Sequence, residues 1–198
     1  EKYANTLQDK DSESFKDNLK IINNQIKQIG NLVNEFSDFA RMPKPTMREN
    51  DIVILLEENI KLLKELDNSI EIDLSTNSKK IILNSDKEQI SRVFLNLIKN
   101  SVESIQQKAE KESNFSKKIA IELIESDSHI NLIIVDNGIG FGELSDNIKD
   151  ILNPYFTTKK NGTGLGLSIV NKIINDHNGK IEFIKKDDGA KIKIDFIK

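Results

Sequence analysis

Two prolines set the organisation of this 198-residue chain. Pro43 and Pro45 stand in Met42-Pro43-Lys44-Pro45. Proline lacks the backbone donor that a helix needs and pushes its predecessor out of helical dihedrals. No helix passes through that tetrapeptide, so the segments on its two sides form separate elements. Upstream, Phe15, Leu19, Ile22, Ile26, Ile29, Val33, Phe36 and Ala40 recur in steps that alternate four and three, the rhythm of a bundle or coiled-coil seam. Ile21, Leu32 and Phe39 widen the stripe enough for more than one neighbour. A single helix cannot bury such a stripe, and a dimeric four-helix bundle is the expected setting; the competing arrangement is a long helix lying on its own domain. The first dozen residues are polar and are expected to fray.

Beyond the prolines the pattern changes, which places a domain boundary at about residues 43–50 and divides the chain into 1–45 and 46–198. Residues Ile52 to Leu66 read as a helix, followed by short strands around Ile70–Leu74 and Lys80–Leu83. Ser85 is the expected cap of a helix running to about Ala109, with Glu88 completing a capping box. A polar linker, Glu110 to Ser116, leads to strands at Lys118–Glu125 and His129–Val135. The stretch from Asp136 to Gly162 is too long and too patternless for an ordinary connection. A helix from about Leu165 to Asp176 comes next, stopped by Asn178-Gly179. Strands Lys180–Lys185 and Lys191–Ile197 flank the turn signal Asp187-Asp188-Gly189. Helices and strands mix without strict alternation, which predicts an α/β sandwich: one mixed sheet with helices on one face, preceded by a long amphipathic helix.

Charge and composition exclude several functions. Lys and Arg number 29 against 32 Asp and Glu, a balance unlike the basic surplus of a nucleic-acid binder, so no nucleic-acid partner is expected. Cysteine is absent, which removes disulfides and thiolate metal sites, and the two histidines are too far apart in sequence to suggest zinc. No apolar run approaches the roughly 18 residues needed to cross a bilayer. The expectation is a soluble, cytoplasmic piece whose membrane contact comes only through segments outside it.

Four groups of residues carry chemistry. In Asn96-Leu97-Ile98-Lys99-Asn100 the two asparagines are four apart and share a helix face. Their amide oxygens suit Mg²⁺, a hard cation, although taken alone the spacing favours a solvated pair. In Asp136-Asn137-Gly138-Ile139-Gly140 an acid at a strand end precedes Gly-x-Gly. It either presents a carboxylate to a ligand's amino group or forms a plain turn. In Pro154-Tyr155-Phe156-Thr157-Thr158-Lys159-Lys160 an aromatic pair is followed by hydroxyls and cations, suited to a lid over a phosphate chain. Lys159 is the better candidate for that charge, with Lys160 as readily solvated. In Gly162-Thr163-Gly164-Leu165-Gly166-Leu167 glycines open a helix, whose first N–H groups favour an anion. This run has no strand immediately before it, so it is not a dinucleotide fingerprint, and it lacks the Gly-Lys-Ser/Thr ending of a P-loop.

In this order the four groups resemble the N, G1, F and G2 boxes of the sensor histidine kinase catalytic domain, over about Ile52 to Ile197. That domain belongs to the gyrase, Hsp90, histidine kinase and MutL (GHKL) ATPase superfamily, whose fold is the Bergerat α/β sandwich. Val33-Asn34-Glu35-Phe36-Ser37-Asp38-Phe39-Ala40-Arg41-Met42-Pro43 is similar to the end of the second dimerisation helix in nitrogen-regulation-type kinases. The resemblance implies binding of ATP with Mg²⁺ and transfer of its γ-phosphoryl group to a histidine. Asn100 would hold the metal with Asn96 assisting, Asp136 would bind the adenine amino group, and Gly138 and Gly140 would shape the adenine pocket. Phe156 would position the lid, Lys159 would supply charge, and Gly162, Gly164, Leu165 and Gly166 would line the triphosphate. The implied partners are a second copy, paired through the stalk helix, and a response regulator. The implied whole protein sits in a bacterial inner membrane.

The sequence departs from the family at one decisive place. No His-Glu-x-x-x-Pro-type acceptor motif occurs, and His129 and His177 lack the adjacent acid and the following proline. Both are read as structural, the acceptor is expected before residue 1, and the chain alone is expected to bind ATP without phosphorylating itself. Ser101 stands where the family has a second alanine after the asparagine. Two other readings remain: an ATPase of the same superfamily with a water-activating glutamate near Asn100, for which Glu103 is the neighbour, and a scaffold with a vestigial site acting through the amphipathic helix.

Overall fold

The computed structural model describes residues 2–66, 68–112, 114–141, 150–159 and 162–198, with side chains undescribed at 2–14, 28, 31, 38, 39 and 66. Helix α1 (Lys2–Ala40) does not fray over its polar start, where residues 2–14 contain neither proline nor glycine to interrupt it. It stops ahead of the proline pair, with Arg41 N–H still reaching Ser37 O at 2.9 Å. Its apolar stripe lies open: Phe15 is 63% exposed, Ile26 61% and Ile29 60%. Phe39's side chain, part of the expected stripe, is outside the described set.

A strand that the sequence does not announce, β1 (Arg48–Asp51), comes after the prolines. It has no apolar alternation and owes its form to β3 (Ile82–Ser85), which pairs with it antiparallel, Arg48 opposite Ser85. Asn50 Nδ2 donates to Ser85 O at 2.7 Å and fastens the pair. Helix α2 (Ile52–Leu66) begins at the next residue. The expected second short strand therefore belongs to a separate two-stranded sheet and not to the main one.

The main sheet has five strands: β2 (Glu71–Thr76), β4 (Lys118–Glu125), β5 (His129–Asp136), β6 (Gly179–Lys185) and β7 (Ala190–Ile197). They lie in the order β2-β4-β5-β7-β6, with β2 parallel to β4 and the remaining neighbours antiparallel. Alternation along β4, β5 and β7 puts Ile119, Ile121, Leu123, Ile130, Leu132, Ile134, Ile192, Ile194 and Phe196 on one buried face. Helices α3 (Lys87–Ala109) and α4 (Gly166–Asp176) cover that face with Ile90, Val93, Phe94, Leu97, Ile98, Ile105, Ile169, Val170, Ile173 and Ile174. Helix α2 packs outside α3 through Ile52, Leu55, Leu56 and Ile60. This is the Bergerat-type mixed sheet with helices on one face.

The cap of α3 is Asp86 and not Ser85. Asp86 Oδ1 accepts from Glu88 N–H and Gln89 N–H, both at 3.1 Å, while Oδ2 accepts from Thr46 N–H at 2.8 Å. Ser85 remains in β3, its hydroxyl turned back to Leu83 O. Burial alone would raise the Asp86 carboxyl, but the N–H groups of Thr46, Gln89 and Glu88, with His177 nearby, hold it below the usual carboxylate range. His177 closes the same corner: Nε2 accepts from Asp86 N–H at 2.9 Å and Nδ1 donates to Ile173 O at 2.7 Å. Both ring nitrogens are engaged within the fold, as a structural histidine requires. His129 contacts Asp195 Oδ1 through Nδ1 at 2.9 Å.

Candidate functional site

Period-two alternation explains why Asp136 is buried. It continues the row Ile130, Leu132, Ile134 onto the helix-covered face and ends it with a carboxylate only 4% exposed. Such a group needs partners. Ser101 Oγ donates to Oδ2 at 3.0 Å and Gly138 N–H donates to Oδ1 at 2.9 Å. Burial still raises its pKa above the ordinary aspartate value, against the pull of Gly138, Ser101, Ala190 N–H and the Lys186 charge. Ser101, standing where the family has alanine, thus gives this carboxylate a hydroxyl donor.

Helix α3 is the spine on which the chosen residues meet. A Cβ on Gly166 would stand 3.8 Å from Asn96 Oδ1, so the start of α4 faces that amide. One turn on, Asn100 Oδ1 accepts from Lys159 Nζ at 2.8 Å, and the same ammonium pairs with Glu103. Next, Ser101 holds Asp136. Further along, a Cβ on Gly138 would lie 2.3 Å from Ser104 Oγ, so only glycine lets that loop seat on the helix. Ile139 N–H reaches Ser104 O at 3.4 Å. Residues 96 to 104 span about 12 Å of helix axis at 1.5 Å per residue. Along that length α3 meets, in turn, the glycine loop, the Lys159 segment and the loop after β5.

The glycine loop and the aromatic segment are fastened together. Tyr155 N–H donates to Gly164 O at 3.0 Å, and a Cβ on Gly164 would lie 2.4 Å from the Tyr155 carbonyl carbon. Tyr155 itself sits at φ 68, a left-handed conformation that costs a non-glycine residue roughly 1–2 kcal/mol. Phe156 is half-buried beside it, and Gly162 lies against Thr157 and Lys159. Leu165 sends its side chain into the core, so only its backbone is available to a ligand. It also caps α4 without any side-chain hydrogen bond, which leaves the first N–H groups of that helix open to an anion. Lys160, the second cation of the aromatic segment, lies outside the described residues, as do 142–149 of the long irregular stretch. A shallow cleft of about 360 Å³ between Pro154 and the Asn171–Asp176 flank of α4 contains none of the chosen residues.

Sequence reasoning misses several participants. It offers Glu103 only as a base, yet that carboxylate pairs with Lys159. Lys108 Nζ donates to Asn137 O at 3.2 Å and pairs with Asp188. Thr163 of the glycine loop donates to the Glu35 carboxylate of α1. A lone Lys, Glu or Thr carries no positional signal in a chain this rich in charge. Gly189 is visible in the sequence, but only as a turn residue.

Known proteins resemble this chain in sequence and in fold. The sequence profile of histidine kinase-, DNA gyrase B- and HSP90-like ATPases matches residues 85–198. A protein of Rickettsia felis described as an NtrY-like sensor histidine kinase is 33% identical over 188 residues, 94% of this chain and 30% of its own. Nitrogen regulation protein NtrY of Azorhizobium caulinodans is 32% identical over 179 residues, 90% of this chain and 23% of its own. The chain thus spans under a third of either relative. Among solved structures, the nucleotide-free catalytic domain of histidine kinase ThkA superposes with TM-score 0.66 at 27% identity, covering 77% of this chain and 96% of that one. A ThkA complex with response regulator protein TrrA gives TM-score 0.72 at 24% identity, covering 90% of this chain and 49% of that one, a likeness of fold.

Proposed function

This chain belongs to the histidine kinase-, DNA gyrase B- and HSP90-like ATPase family and carries a histidine-kinase-type ATP-binding catalytic domain; on that premise we propose that it transfers the γ-phosphoryl group of Mg-ATP to a histidine on a helix outside residues 1–198. Residues 1–45 then serve as the second helix of a dimerisation stalk and 46–198 as the catalytic domain. The observation that carries this reading is the succession of contacts along α3, which sets an aspartate, two amides, a lysine and a glycine loop along one helix, an arrangement suited to one elongated ligand.

In this reading Asp136 accepts from the exocyclic amino group of adenine, a contact that discriminates strongly because a ligand without the donor leaves a buried carboxylate unpaired. Gly138 and Gly140 let the backbone pass close to the base, and Phe156 positions the segment that carries Lys159. Gly162, Gly164, the backbone of Leu165 and Gly166 present N–H groups to the phosphates at the open start of α4. Asn100 is suited to Mg²⁺ because its amide oxygen already faces a cation, the Lys159 ammonium. Asn100 would hold the metal with Asn96 assisting, and the bound ion would offset phosphate charge. Lys159 would turn from Asn100 and Glu103 to the phosphate chain. Catalysis would rest on positioning and charge and would need no covalent chemistry from the protein. Glu103 sits three residues from Asn100, where an ATPase would want a base and where it pairs with Lys159; labelling with γ-labelled ATP separates that reading from the kinase.

The acceptor histidine belongs to the partner helix of the stalk; His177 and His129 are committed to the fold. A response regulator is the next phosphoryl acceptor, by analogy with the ThkA–TrrA complex. Among the described residues no helix is long and apolar enough to cross a membrane. We place this part in the cytoplasm and any anchor, in a bacterial inner membrane, outside it. The test is incubation with γ-labelled ATP and a peptide carrying an acceptor helix. Label on histidine supports the kinase, free phosphate alone supports an ATPase, and the chain without peptide should remain unlabelled.

A further inference from the structure

The turn between β6 and β7 lies far in sequence from the asparagines of α3 and from Asp136, yet it touches the loop after β5 at several points. Strand register sets Ala190 opposite Asp136, so the turn stands where Asp136 leaves the sheet. Gly189, at φ +90, packs so tightly that a Cβ there would lie 1.9 Å from Asp136 O and 2.8 Å from Asn137 Cα. From the other side, a Cβ on Gly140 would meet Gly189 O at 2.5 Å. Lys108 of α3 bridges the two segments, reaching Asn137 O at 3.2 Å and the Asp188 carboxylate. Its ammonium also lies 5.0 Å over the Phe115 ring, which limits where it can go. The loop 136–140 is therefore held between α3, at Ser104 and Ile105, and the turn at Gly189.

We propose that the turn Asp187–Ala190 is the back wall of the nucleotide site: Gly189 fixes where the Asp136 carboxylate stands, and Lys108, through Asn137 and Asp188, locks wall and loop together. None of these residues touches the ligand, and all are positioning residues. The charged and polar groups that face Asp136 come from both sides. Lys108 and the Ser101 hydroxyl approach from α3, Lys186 and Ala190 N–H from the turn, and Gly138 N–H from the loop itself. Each favours the ionised carboxylate that a donor ligand needs, against the burial that opposes it. The proposal rests on Asp136 being the group that binds adenine.

The experiment is calorimetric titration of the whole chain with a non-hydrolysable Mg-ATP analogue between pH 5 and 8, with thermal melting of each variant as the check on folding. Gly189→Ala is expected to weaken binding about tenfold or more, because only a displaced loop can admit the extra carbon. Lys108→Met removes the ammonium while keeping an unbranched side chain of similar length, and is expected to weaken binding a few-fold. Removing a cation from beside Asp136, in Lys108→Met or in the exposed Lys186→Gln, raises its pKa further. Binding in those two variants should then fail at a higher pH on acidification than in the parent. Unmoved midpoints would mean that neither cation acts on the Asp136 carboxylate. Folded Gly189→Ala with parental affinity overturns the proposal; if Gly189→Ala does not fold, parental affinity in folded Lys108→Met overturns it. Asp136→Asn separates the two layers. If it binds like the parent, the assignment of Asp136 fails and the wall with it; if it loses binding while the turn variants do not, only the wall fails.

Discussion

Helices α1 and α3 are both long and amphipathic, and they end in opposite states. In α3 the apolar stripe is sealed: Ile90, Val93, Phe94, Leu97, Ile98 and Ile105 are fully buried, and the edge of the helix beside them carries Asn96, Asn100, Ser101 and Glu103. In α1 the stripe meets solvent from Phe15 to Phe36. A helix gains most of its stability from covering its apolar face. The chain therefore finishes α3 by itself and leaves the apolar stripe of α1 uncovered, as the stalk role proposed for that helix would require. Among the described residues, Thr163 donates to Glu35 and so ties α1 to the glycine loop.

Substitutions sharpen this contrast, the largest effect first. Leu97→Ala removes a fully buried side chain from α3 and should cost about 2–5 kcal/mol in urea unfolding. A loss under about 1 kcal/mol would mean that α3 is not sealed. His177→Ala leaves Asp86 N–H without its ring acceptor, while Ile173 O keeps the N–H of residue 177, and should cost about 1–3 kcal/mol, with no change in label transfer to the acceptor peptide. Lost transfer in a folded variant would return His177 to the candidate acceptors. Asp86→Ala removes the cap of α3 and should cost about 1–2 kcal/mol at neutral pH. Ile29→Ser in α1 should shift unfolding of the monomer by no more than about 0.5 kcal/mol, while sedimentation shows dimer lost at concentrations where the parent associates. Equal sensitivity of stability to Ile29 and Leu97 would erase the distinction.

Acidity separates two carboxylates in the same way. Asp86 has a lowered pKa in the folded chain, so its contribution to stability is present above its unfolded pKa and is lost as pH falls through the folded value. Asp136 has a raised one, so its charge opposes folding at neutral pH and that penalty fades as pH falls through the folded value. Asp136→Asn should therefore hold or raise stability at pH 7 while nucleotide binding collapses. Asp86→Ala should flatten the acid limb of the stability curve.

The glycines, the paired asparagines and the acid at a strand end were legible because each is a residue type tied to a local geometry. So were strands β4 and β5, whose alternation is clean, and helix α3 to within two residues. Strand β1 was not, since Arg-Glu-Asn-Asp has no strand preference and forms only by pairing with β3. The cap moved from Ser85 to Asp86 because only the aspartate reaches both the helix and Thr46 N–H. Ser101, Glu103 and Lys108 act through contacts 29 to 80 residues away in sequence, which no local pattern encodes. That Gly189 packs on Asp136 is likewise a fact of sheet register, invisible in Asp-Asp-Gly.

The convergence of separate loops on α3 around one nucleotide is tested most directly by amide hydrogen exchange with and without Mg-ADP. The account predicts that residues 138–140 and 162–166 gain protection together, at one ligand concentration, and that both gains vanish in Asp136→Asn. Protection confined to one loop, or surviving in that variant, would contradict it.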